Sequence, residues 1–138
     1  MVRSLNKVMI IGRLGRDPEM RFTATGRAVS TFNVATTRGW TGNDGVNHED
    51  VEWFHVIAWG NLAELCKKRL HKGSLVYVEG RLQTRSWKTA EGDTHYRTEL
   101  VAQELIFLED TTAEMGDNEE EPGLEEFPPV SDETPLEA

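Results

Sequence analysis

The stretch Glu52-Trp53-Phe54-His55-Val56-Ile57-Ala58-Trp59 limits what this chain can fold into more than any other. Written as a β-strand, its side chains alternate between faces, so Trp53, His55, Ile57 and Trp59 share one side. Phe54, Val56 and Ala58 take the other, and they suffice to line a core. The first set puts two indoles roughly 20 Å apart, six residues at about 3.3 Å each, on a face that a core does not use. Such a strand is built for something flat to lie across it.

The rest of the chain supplies partners for that strand. Lys7 to Leu14 predicts a first strand whose apolar run Val8-Met9-Ile10-Ile11 allows burial on both faces, one of them against another subunit. Asp17-Pro18 interrupts it, and Met20-Arg21-Phe22 can resume pairing before a turn at Thr25-Gly26. A second strand is expected over Ala28 to Thr37, with Ser30, Phe32 and Val34 on one face and Thr31 and Asn33 on the other. Arg38 to Asn47 reads as a polar connection turning at Asn43-Asp44-Gly45, with Trp40 inside it. The third strand runs from Val51 to Trp59.

A helix follows Gly60. Asn61 as N-cap and Glu64 three residues on form a capping-box pattern. Leu62, Leu65, Cys66 and Leu70 make its apolar stripe. Lys67, Lys68, Arg69, His71 and Lys72 complement the dipole at its end, and Gly73 stops it. Leu75 to Trp87 predicts a fourth strand, with Val76, Val78, Gly80 and Leu82 on one side and Tyr77, Arg81, Arg85 and Trp87 on the other. After a turn at Glu91-Gly92-Asp93, Tyr96 to Leu108 is the last. An all-β chain with one helix between strands three and four has the element order of the OB-fold, a five-stranded Greek-key barrel.

Charge divides the chain in two. Residues 1–110 carry all 15 Lys and Arg against 14 Asp and Glu, whereas residues 111–138 carry 10 acids and no base. The net charge of -9 therefore belongs to a tail, whose prolines and scarce apolar residues predict disorder, and not to the barrel domain. A near-neutral barrel can still present a basic groove. One cysteine, Cys66, excludes an intrachain disulfide and a multi-cysteine metal site, and the four histidines lack ligand spacing, so neither metal nor cofactor is expected. No run approaches the ~20 apolar residues of a membrane span, and the first residues lack a signal-peptide apolar region, which predicts a cytoplasmic, nucleoid-associated location.

All four tryptophans, Trp40, Trp53, Trp59 and Trp87, fall on strands three and four or the hairpin leading into them. Interleaved with Arg81 and Arg85, they are what unstacked bases and their phosphates require, each base–indole stack being worth about 1–3 kcal/mol. His55 between two of the indoles is a further candidate. Nucleophile-elbow, phosphate-loop and zinc-protease signatures are missing, so no enzyme is expected.

The pattern also resembles a known family. Asn6-Lys7-Val8 with Gly12-Arg13-Leu14-Gly15-Arg16-Asp17-Pro18-Glu19, Glu52-Trp53-Phe54-His55-Val56 with Gly60-Asn61-Leu62-Ala63-Glu64, and Arg69-Leu70-His71-Lys72-Gly73-Ser74 with Val76-Tyr77-Val78-Glu79-Gly80 and Thr84-Arg85-Ser86-Trp87 look like the bacterial single-stranded-DNA-binding protein family. The resemblance runs from residue 1 to about 110. It implies an OB-fold subunit of a homotetramer, paired in part through strand one, that binds and protects single-stranded DNA without sequence preference in replication, recombination and repair. The family's stacking positions fall on Trp40, Trp53, Trp59 and Trp87, and its basic positions on Arg3, Lys7, Lys72 and Arg85. Asn61 and Ser86 stand where well-studied members carry lysine, which implies a shallower salt dependence.

The resemblance also implies a tail that docks replication and repair proteins through a Pro-Phe tip. Here the chain ends Pro135-Leu136-Glu137-Ala138, and the nearest equivalent is Glu125-Glu126-Phe127-Pro128-Pro129. Three other readings stay open on the residues: a dimeric replication-restart OB-fold protein, a metal-dependent nuclease using Asp17 and Glu19, and an adaptor acting through the acidic tail alone.

Overall fold

The computed structural model describes residues 3–109; the tail, with Glu125, Glu126, Phe127 and Pro128, lies outside them. Six strands and one helix appear in the order β1 (Val8–Leu14), β2 (Glu19–Phe22), β3 (Ala28–Thr41), β4 (Asn47–Trp59), α1 (Gly60–Arg69), β5 (Leu75–Lys88) and β6 (Thr94–Glu109). The sheet runs β1-β5-β6-β4-β3-β2, and β1 closes on β3 through Arg13–Ala35 and Leu14–Val34. Five strands thus form the closed barrel of an OB-fold, and β2 is a short ribbon on β3. Pairing is antiparallel except between β4 and β6, where Val56 and Ile57 lie beside Leu100 and Val101.

The interior is filled as the alternation predicts. Phe32 and Val34 from β3, Val56 and Ala58 from β4, Val76 and Val78 from β5, and Leu100 and Ala102 from β6 form one buried cluster with Leu14, Cys66 and Leu70. Helix α1 covers an end of this core. Ser30, fully buried, donates its hydroxyl to the Ala63 carbonyl at 2.9 Å and so ties helix to barrel. The segment after α1 is stitched to the end of β1: Arg13 Nη1 donates to Gly73 O at 2.9 Å, and the Lys72 N–H donates to Asp17 Oδ1 at 2.8 Å. Asp17 is thereby held as a backbone acceptor.

Three expectations are corrected. The second and third strands extend past their apolar alternation, to Thr41 and back to Asn47, so Trp40 sits on a strand and not in a loop. Pairing continues there because cross-strand backbone bonds, supplemented by Thr41 Oγ1 to Asn47 Oδ1 at 2.9 Å, replace core burial as the stabilising contact. The capping box does not form: α1 begins at Gly60, the cap residue is Trp59 without a side-chain bond, and Asn61 is exposed. Gly60 at φ 63° turns the chain directly from strand to helix, leaving no extended residue at Asn61 to act as a cap. In the helical stripe, Leu65 is exposed and Ala63 is buried, because α1 lies so close on the barrel that a small residue meets it. On β5, Leu82 keeps the side of Val76, Val78 and Gly80 as expected, but lies exposed beyond the last buried position.

Candidate functional site

Strands β3, β4, β5 and β6 carry the aromatic and basic residues, Trp53, Trp59, Arg85 and Trp87 at outward positions and Arg38 and Trp40 on the core-facing alternation beyond the end of the core. The base of the outward set is a second small core of Val29, Ile57 and Val101, against which Trp59 packs. Alternation puts Ile57 on the open aromatic face, but at 1% exposure it belongs to this layer, since β6 lies alongside β4 at that point. Trp59 is half-buried, its indole nitrogen is buried without a hydrogen-bond partner, and Arg27 lies over its ring at 4.3 Å.

The next layer is polar. His55 pairs with Asn33 across β3–β4, and Nδ1–H donates to Asn33 Oδ1 at 2.9 Å. Its Nε2 faces Glu99 Oε2 at 3.6 Å. The same carboxylate oxygen accepts from Arg85, at 3.4 Å from Nε and 3.3 Å from Nη2. Glu99 has no exposed side-chain surface, and its Oε1 has no hydrogen-bond partner. Burial pushes the Glu99 carboxyl above its ordinary range, against the opposing pull of Arg85 and then Arg97. Burial lowers the His55 imidazole to about 4, and Arg97 and Arg85 add to that. His55 is therefore a neutral, oriented side chain within this face near neutral pH.

This has a consequence with a definite sign. The folded value of His55, about 4, lies below its ordinary 6.5, so folding excludes a proton that the unfolded chain binds between those limits. Its contribution is complete above pH 6.5 and is lost as pH falls toward 4, by up to about 3 kcal/mol. Imidazole NMR titration is expected to place the His55 midpoint near 4; a midpoint near 6.5 would contradict the buried neutral state.

Farther out, two hairpin tips carry one indole each. Trp40 stacks on His48 with centroids 5.2 Å apart and planes 18° apart, and Arg38 stands 4.6 Å over its ring while bridging Asp50 at 3.2 Å. Trp87 stacks on His95 at 5.9 Å and 18°, with Arg85 5.6 Å from its centroid. Trp53 is half-buried between these regions, opposite Ala35.

Of the basic residues expected from sequence, the structure brings Arg85 to the indoles and places Arg81 on the same side of β5, bonded to Gln83 Oε1 at 3.2 Å. Lys7 pairs with Glu79 at 2.8 Å on the β1–β5 surface, where that carboxylate raises its pKa. Arg3 is exposed before β1, and Lys72 is exposed in the turn after α1. Sequence reasoning missed Arg27, Arg38, Glu99, His48 and His95. The signal for the last two is cross-strand register, which the amino-acid pattern alone does not supply. Glu19 lies 3.7 Å from Arg21, and among the described residues no group of three or more His, Cys, Asp or Glu side chains is arranged for a metal.

A closed five-stranded barrel with one helix, bearing tryptophans beside guanidiniums on its strands and hairpin tips, defines an OB-fold binding protein whose surface suits flat, anionic ligands. A family model described as the single-strand binding protein family matches residues 5–108, and the chain belongs to that family. It is 50% identical over 109 residues to a single-stranded DNA-binding protein 1 from Chlorobaculum tepidum, covering 78% of this chain and 67% of the relative. It is 44% identical over 105 residues to a single-stranded DNA-binding protein from Neisseria meningitidis serogroup A, covering 76% of this chain but 60% of that protein. Among solved structures, a Plasmodium falciparum SSB complex with ssDNA matches at a TM-score of 0.72 and 34% identity, covering 79% of this chain and 99% of the other.

Proposed function

We propose that this protein binds single-stranded DNA without sequence preference and protects it during replication, recombination and repair. Bases stack on Trp40, Trp53, Trp59 and Trp87, and phosphates are met by Arg85, Arg81, Arg3, Lys7 and Lys72. The observation that carries this reading is the coupling of three indoles each to its own guanidinium: Arg27 with Trp59, Arg38 with Trp40 and Arg85 with Trp87. Aromatic faces alternating with cations suit a strand whose flat bases alternate with anionic phosphates. The names of the relatives and the ligand of the solved complex agree with it. The protein acts by binding and not by catalysis.

Thymidine homopolymer is expected to quench tryptophan fluorescence strongly, and duplex DNA weakly; equal responses would defeat the proposal. Trp53→Ala should weaken binding by about 1–3 kcal/mol. An unchanged affinity would assign that indole to packing alone.

The reading extends to assembly. Met9 and Ile11 are 60% and 55% exposed on β1, and Ile106 on β6 is 46% exposed beside Tyr77. An apolar strip of this kind on sheet surface supports self-association, and a homotetramer is proposed. Mass in solution separates it from the dimer of a replication-restart protein. The acidic tail is assigned to recruiting replication and repair proteins, and the cytoplasm, at the nucleoid, is the proposed location. No helix among the described residues is long and apolar enough to cross a membrane.

A further inference from the structure

Two hairpin tips in this barrel are built alike. In the β3–β4 turn, Gly42 N–H donates to Val46 O at 2.9 Å and Gly45 N–H donates to Gly42 O at 3.0 Å. In the β5–β6 turn, Thr89 N–H donates to Asp93 O at 2.8 Å and Gly92 N–H donates to Thr89 O at 2.9 Å. Two residues before each turn stands a tryptophan, two residues after it a histidine, and in both cases the rings stack with planes 18° apart. Two residues before each tryptophan stands an arginine, Arg38 or Arg85.

The turn itself does not demand this arrangement. The β2–β3 connection makes the same pair of bonds, Thr23 N–H to Arg27 O and Gly26 N–H to Thr23 O, both at 2.9 Å. Its flanking positions are occupied by Arg21 and Val29. A tryptophan–histidine pair has thus been placed twice on a turn that works without one. Both imidazoles are exposed, so their stacking on the indole does not withdraw them from solvent.

We infer that His48 and His95 are DNA-contacting residues, each joining its cross-strand tryptophan in a two-ring platform that receives adjacent bases. The inference rests on the stacking function proposed above for Trp40 and Trp87. A lone exposed indole offers one base a surface; an imidazole stacked on it, with planes 18° apart, lengthens the stack and offers its own outer face to a further base. The adjacent guanidinium, on the same strand as the indole, stands where it can meet a phosphate. Cross-strand ring pairs also stabilise hairpins, so the test must separate contact with DNA from support of the fold.

The experiment uses the full chain and a labelled thymidine homopolymer, read by anisotropy so that indole fluorescence is not the reporter. His48→Ala and His95→Ala are each expected to weaken binding about fivefold, the lower end of a stacking contribution, with little change in melting temperature. His48→Phe and His95→Phe should bind within about twofold of the parent, because a flat ring is restored. In histidine-labelled protein, the ring protons of both residues should shift upfield on DNA binding and show cross-peaks to thymine methyls.

Unchanged affinity in the alanine variants, with Trp40→Ala and Trp87→Ala still weakening binding, would overturn this inference and leave the stacking function standing. If the tryptophan variants also bind normally, the stacking function itself fails. Weakened binding without imidazole–thymine cross-peaks would assign the histidines to hairpin support and overturn the inference. So would rescue by lysine but not by phenylalanine.

Discussion

Replacing Gly80 by alanine is expected to destabilise the barrel by about 3 kcal/mol or more, the upper end of what overpacking costs. Gly80 lies on β5 opposite Ala102, at a register shift between Glu79 and Gly80 where β6 carries one extra residue. An added Cβ there would overlap the Val101 carbonyl oxygen and lie 2.8 Å from its carbon and 2.9 Å from Leu100 Cδ2. Two of those atoms are backbone of the neighbouring strand, which cannot rotate away as a side-chain tip can. The β5–β6 ladder, paired from Leu75–Glu109 to Lys88–Thr94, would have to separate at its middle. Gly26→Ala provides the comparison. It forces a residue at φ 92° to carry a Cβ, but in open space, so only the backbone conformation is penalised, by about 1–2 kcal/mol. Urea unfolding of both variants checks the ranking; equal midpoints would show that β6 yields where the packing says it should not. Since a domain this size has only about 5–15 kcal/mol in hand, Gly80→Ala is also expected to reduce the soluble yield.

What the amino-acid pattern made legible, and what it did not, follows from which physical term was setting the structure. Where burial alternates residue by residue, as in Phe32-Val34 or Val76-Val78, the strands and their inner faces could be read directly. The barrel order followed from one convincing helical stretch between two β-rich blocks. The outer halves of the hairpins escaped because residues 38–50 are nearly free of apolar alternation; their pairing is held by the backbone ladder. The indoles were easy to select by composition, but their partners were not. Arg27 reaches Trp59 through the β2–β3 turn, and Lys7, selected as a basic contact by family resemblance, meets Glu79 because β1 pairs with β5 in that register. Glu99 was invisible for a different reason. A glutamate between Leu100 and threonine on a strand reads as a solvated residue, and its burial comes from distant partners, Arg85 and Gln83 on β5 and His55 on β4.

That buried carboxylate gives the last expectation. Glu99→Ala should lower stability by about 2–4 kcal/mol, by leaving a cavity and depriving Arg85 of its acceptor. Glu99→Gln should change stability by less than about 1 kcal/mol, although it removes the same charge. The difference follows from the direction in which burial moves the carboxyl. Its folded value lies above the ordinary 4.5, because burial opposes the charge more than Arg85 and Arg97 support it. A neutral isostere of the same shape then satisfies the site about as well as the ionised acid. The sign of the pH dependence follows too. Because the folded chain holds this proton more tightly than the unfolded chain, the advantage of the parent over Glu99→Gln is full below pH 4.5 and is lost as pH rises through the raised value. Thermal or urea unfolding of parent and both variants between pH 4 and pH 8 measures this directly. A Gln variant as damaged as the Ala variant, with a penalty that grows on raising the pH, would mean that the ion pair with Arg85 outweighs desolvation. The contacts of Arg85 with Glu99 at 3.3 and 3.4 Å would then be the dominant stabilising feature of this layer.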